Sequence, residues 1–183
     1  SKSYLNESLL ISIFPFFKLS LRNKEAMNKI AKSSFSFNLS TIDFINEEKA
    51  ANIGNFLVGR LLPFRQKRTI GPFVFIDHMG PACLSDHENL DVGPHPHIGL
   101  STLTYLFDGA IMHRDSMGNA LEIQPGAVNW MTAGKGVTHS ERTPLALRQK
   151  DKFLHGLQIW VALPKALELM DPEFSHIEAE QIP

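Results

Sequence analysis

The sequence has one cysteine, two tryptophans, two tyrosines and no excess of either charge, and each shortage closes off a class of protein. A lone Cys83 cannot form an internal disulfide, and it rules out C-x-x-C redox motifs and cysteine-rich zinc ribbons. It suits a reducing compartment, so the expected location is cytoplasmic, and Cys83 itself reads as a small buried apolar residue. Eighteen Lys and Arg against nineteen Asp and Glu leave a formal charge of -1. That balance lacks the basic footprint of a nucleic-acid binder. Long hydrophobic runs are also missing: the longest, residues 9–17, falls short of the roughly 20 residues that cross a bilayer. What the chain does have is 183 residues that are 43% apolar, enough for one domain with a real core.

Composition changes near residue 42. Residues 1–42 are serine-rich, with six basic and two acidic side chains, while the remainder carries 12 basic and 17 acidic. The expectation is a leader or flanking segment over 1–42 that lies outside the fold, organelle targeting being the alternative. From Phe56 onward, short apolar stretches are cut by turn residues. Seven of the twelve glycines lie between Gly93 and Gly136, mostly 8 to 10 residues apart, which is the rhythm of consecutive short strands. The spacing predicts strands over Phe56–Leu62, Val74–Met79, Leu100–Phe107, Ala110–Arg114, Leu121–Ile123, Val128–Thr132 and Leu154–Ala162, and a short helix over Leu163–Leu169. An all-β sandwich or closed barrel follows.

Eight histidines are present, and their arrangement says more than their number. His95-Pro96-His97 puts two imidazoles at i and i+2, a spacing that shares one face of an extended strand. His139-Ser140-Glu141 repeats the device with one imidazole and one carboxylate. Together the pairs make a three-histidine, one-carboxylate set: His95, His97, His139 and Glu141. Such nitrogen and oxygen donors suit Fe, Ni, Cu, Mn or Zn and disfavour Ca or Mg. Isolated histidines, such as His78, His87, His155 and His176, read as hydrogen-bonded or surface residues. Gly134-Lys135-Gly136 lacks the G-x-x-x-x-G-K-[ST] pattern of a phosphate loop and reads as a tight turn delivering His139.

Longer stretches resemble a known family. His95-Pro96-His97-Ile98-Gly99, Thr104-Tyr105-Leu106, His113-Arg114-Asp115-Ser116 with Gly118, and above all Trp130-Met131-Thr132-Ala133-Gly134-Lys135-Gly136-Val137-Thr138-His139-Ser140-Glu141 are similar to the pirin family of the cupin superfamily. Arg60-Leu61-Leu62-Pro63 and Gly71-Pro72-Phe73-Val74-Phe75-Ile76-Asp77-His78-Met79-Gly80-Pro81 resemble the start of the same domain. The resemblance covers roughly residues 53–165. It implies a cupin-type β-barrel, a double-stranded β-helix or jelly roll, forming the amino-terminal half of a bicupin. The expected organisation is a leader over 1–42, a pirin-like cupin domain over 43–165, and the start of a linker toward a second cupin over 166–183.

The same resemblance implies one divalent metal, most often iron, on the residues matching His95, His97, His139 and Glu141. It further implies quercetin 2,3-dioxygenase activity, with a flavonol and dioxygen as substrates and ring opening with loss of carbon monoxide. The alternative it carries is a metal-dependent, redox-responsive regulator with a protein partner. The general cupin pattern has a Glu shortly after the His-x-His pair where this chain has Ser101 and Thr102, so the carboxylate must come from Glu141. Glu141 is therefore the candidate catalytic base as well as a ligand. His113 and Asp115 read as residues that orient a ligand imidazole, with an exposed turn as the competing account. Trp130 and Met131 read as core or as a substrate wall.

Overall fold

The computed structural model describes residues 46–53 and 55–182; the leader expectation therefore falls outside the described residues. Eleven strands follow in order: β1 (Lys49–Asn52), β2 (Leu57–Leu62), β3 (Phe73–Leu84), β4 (Asp91–His97), β5 (Leu100–Asp108), β6 (Ile111–Asp115), β7 (Ala120–Ile123), β8 (Val128–Thr132), β9 (Val137–Arg142), β10 (Lys152–Ala162) and β11 (Glu173–Ile177). They form a seven-stranded sheet, β1-β2-β3-β10-β5-β8-β11, and a four-stranded sheet, β4-β9-β6-β7. Every pairing is antiparallel. The two sheets face each other as the jelly roll of a cupin barrel.

Alternation along the strands sends one set of side chains into the barrel. At one end Val58, Met79, Leu106, Ile111, Ile123 and Leu154 pack as an apolar plug. Each such burial contributes roughly 1.5–3 kcal/mol. Toward the other end the larger sheet turns polar along a single line of register. Arg60 pairs with Asp77, Asp77 with Gln158, Gln158 with Thr104, Thr104 with Asn129, and Asn129 with His176. Arg60 and Asp77 form a two-pronged ion pair at 2.8 Å.

Three sequence expectations need correction. Leu163–Leu169 is not a helix: Leu167 N–H bonds Pro164 C=O and Met170 N–H bonds Leu167 C=O, giving turns that lead into β11. The segment beyond residue 165, read as the start of a linker, contributes β11, which pairs with β8 at the edge of the larger sheet. Cys83 is exposed near the end of β3 rather than buried. The Gly134-Lys135-Gly136 turn is as expected: Gly136 N–H bonds Ala133 C=O at 2.8 Å, and β9 starts one residue later. Gly134 has φ +49°, and a Cβ there would run into the Met170 carbonyl, so the turn requires glycine.

Candidate metal centre

The smaller sheet brings the two histidine pairs together because β4 lies antiparallel to β9. His95 is the direct partner of His139, and a bulge between Val92 and His95 separates that pair from the Val92–Glu141 pair. Three imidazoles converge: ring centroids are 4.9 Å apart for His95–His97, 4.5 Å for His95–His139 and 4.9 Å for His97–His139. One potential ligand atom from each of the three lies within 4.8 Å of the others. The Nε2 atoms of His97 and His139 are 3.0 Å apart. Two nitrogens each about 2.1 Å from one ion and at right angles would be separated by about 3 Å, so the spacing fits.

Neighbouring groups set the tautomers. His95 donates its Nδ1–H to Gly93 C=O at 2.8 Å, leaving Nε2 as the free lone pair. Asp115 Oδ2 accepts from His113 Nε2–H at 3.0 Å, and His113 Nδ1 faces His139 Nδ1 at 3.5 Å. A proton on His139 Nδ1 satisfies that contact and turns its Nε2 lone pair toward His97. A carboxylate behind an imidazole is the usual device for orienting a metal ligand. His113, 2% exposed, is not on a solvent turn; it stacks on Phe174 at 4.8 Å.

The electrostatics favour neutral rings. Burial, with the imidazoles of His139 and His95 nearby, pushes His97 down to about 4. Burial, with His95 and His113 nearby, pushes His139 down to about 3. Burial opposes ionisation of Asp115, but bonds from His113, Asn119 and Met117 hold its carboxyl below the ordinary value.

Glu141, also buried, belongs to a second group with His113 and His139 whose ligand atoms again lie within 4.8 Å. Its Oε1 accepts from the Thr104 hydroxyl at 2.7 Å, and Thr104 Oγ1 lies 2.8 Å from Gln158 Oε1. A hydroxyl has one proton, so Thr104 serves one of these two oxygens at a time; turning the Gln158 amide over would put its nitrogen against Thr104 and free the hydroxyl proton for Glu141. Glu141 Oε2 is left for a ligand.

Of the two readings for Trp130 and Met131, core is the one the structure shows. Met131 sits in the core with Ala133 and Val137. Trp130 points to the opposite face of β8. Trp160 of β10 instead meets His97 edge-on at 4.8 Å, Phe75 stacks on Trp160 at 4.1 Å, and Arg60 lies over Phe75 at 4.5 Å. Gln158 and Trp160 carry no motif, and Thr104 stands in the Thr104-Tyr105-Leu106 stretch with no site role attached; the pairing of β10 with β5 is what sets Thr104 opposite Gln158.

Facing sheets around two triads that share His139, His95–His97–His139 and His113–His139–Glu141, define a cupin barrel with the donor types of a transition-metal site. The chain belongs to the pirin family: the Pirin family model matches residues 55–161. A pirin-like protein of Caulobacter vibrioides is 54% identical over 139 residues, covering 75% of this chain and 48% of the relative. Among solved structures, a quercetin 2,3-dioxygenase from Acinetobacter baumannii is 44% identical, with a TM-score of 0.68 over 72% of this chain and 43% of that one. A bacterial pirin from Escherichia coli, in complex with nickel(II), is 25% identical, with a TM-score of 0.56 over 70% of this chain and 53% of that one. The chain thus spans about half the length of the relatives it matches. No helix among the described residues is long and apolar enough to cross a membrane.

Proposed function

We propose that this chain is the metal-binding barrel of a flavonol dioxygenase, with His95, His97, His139 and Glu141 as ligands and Glu141 as the base. The observation that carries the reading is Glu141: a buried carboxylate grouped with His139, itself one of the three converging imidazoles, fixed through Oε1 by Thr104. A divalent transition ion on this set, iron being the first candidate and nickel, copper, manganese and zinc the others, would supply positive charge to acidify a phenolic hydroxyl and positions open to dioxygen.

The chain's own residues supply the rest. Glu141 Oε2 serves as ligand or, released from that role, as the base that accepts the flavonol hydroxyl proton, while Thr104 holds Oε1 and keeps the carboxylate from turning away. Trp160 and Phe75, both partly exposed, offer a flat apolar surface beside His97 for a planar substrate. His113 and Asp115 hold His139 in register. Support from outside the chain comes from the quercetin 2,3-dioxygenase likeness and the nickel(II) in the Escherichia coli pirin.

The test is dioxygen uptake with quercetin on folded protein loaded with iron, nickel, copper or manganese, with carbon monoxide and flavonol absorbance followed together. Turnover that Glu141→Gln abolishes while metal is retained is the expected result. No turnover with any of the four ions, in this chain and in one extended to the relatives' full length, would refute the enzyme reading and leave the redox-responsive regulator.

A further inference from the structure

Outside the barrel, on the other face of the larger sheet, a second set of nitrogen and oxygen donors converges. His78 follows Asp77 on β3; Asp77 lies on the inner line of register, so alternation turns His78 outward. Its Nδ1–H donates to Glu48 Oε2 at 3.0 Å, and its Nε2 lies 2.9 Å from Nε2 of His155 on β10. Phe107 packs against the His155 ring at 4.7 Å. Asp108 is the register partner of His155, and its negative charge acts on that imidazole.

The sequence makes room for this arrangement. Gly59 is the register partner of His78 on β2, and a Cβ at 59 would collide with the Glu48 carboxylate. Gly59 does not have the positive φ that demands glycine, so its missing side chain serves the passage of Glu48 across β2. Glu48 in turn fixes the proton of His78 on Nδ1, which leaves the Nε2 lone pair aimed at His155. A hydrogen-bonded histidine pair needs neither the carboxylate nor the glycine; an oriented metal ligand uses both.

We propose that His78 and His155 form a second transition-metal site, with Glu48 as the carboxylate that orients His78. Two Nε2 atoms 2.9 Å apart suit adjacent positions on one ion, as the 3.0 Å spacing of His97 and His139 does inside the barrel. Imidazole donors select a borderline divalent ion such as nickel, copper or zinc, whose remaining positions water fills.

Equilibrium dialysis of the full chain against nickel(II), followed by elemental counting, tests the site. Wild type should hold one nickel more than His78→Gln or His155→Gln, and His97→Ala, checked for folding by a cooperative melt, should keep that outer nickel. Glu48→Gln and Gly59→Ala should each weaken the outer site by about tenfold while leaving both imidazoles in place. Equal nickel in wild type and His155→Gln would overturn the site. Unchanged outer affinity in both Glu48→Gln and Gly59→Ala would overturn the role given to Glu48. Neither result bears on flavonol turnover, which rests on the residues inside the barrel.

Discussion

His139 touches every part of the interior set: His95 and His97 on one side, His113 on the other, with Glu141 two residues along the same strand. Removing one imidazole from such a cluster should cost the barrel ion. His97→Ala is expected to lose one metal equivalent by elemental analysis, whereas His176→Ala, whose ring bonds Asn129 and Glu178, should not. The depressed values of His97 and His139 also fix a pH dependence for metal-free protein. Both rings are neutral when folded but titrate near 6.5 when unfolded, so the unfolded chain binds more protons below that point. Stability should be fully present above about pH 6.5 and fall as the pH drops toward 4, read as a decline in the thermal midpoint. At this scale the convergence of His95, His97 and His139 was legible because i, i+2 spacing on a strand is a local rule. Glu141's supports were not, since Thr104 and Gln158 meet it only through pairings between distant segments.

Among the elements, the β6–β7 hairpin shows how a turn supports the centre. Asp115 Oδ1 accepts the backbone N–H groups of Met117 and Asn119, and Oδ2 accepts from His113. One buried carboxylate therefore closes the turn and orients the imidazole behind His139. Asp115→Ala should lower the unfolding free energy by about 3 kcal/mol in denaturant melts, the loss expected when charge-assisted bonds are removed and their donors left unpaired. Most strands were legible because apolar alternation and glycine turns bound them. β3 is longer than Val74–Met79 because Gly80-Pro81 reads as a stop, while a register shift between Leu154 and Gly156 lets pairing continue to Leu84. β1 and β11 escaped notice because they are short edge strands with little apolar signal, and the helix expected after Pro164 gave way to turns that carry the chain to β11.

For the molecule as a whole, the interior ligand set is confined to residues 95–141, within the stretch that the pirin family model matches. Removal of residues 1–42 should therefore leave barrel metal affinity unchanged by calorimetric titration, and a loss of affinity would show that the leader supports the fold. The order of strands has a consequence in time as well as space. β10 lies between β3 and β5, so β3 finds its inner neighbour only after some seventy further residues have been made. On a ribosome the small sheet, with its four histidines and Glu141, is complete by Arg142, before Gln158 and Trp160 exist. The nascent chain holds its proposed metal donors before the wall that encloses them, and β10 arrives after both β3 and β5 as the strand that joins them, with only β11 still to come.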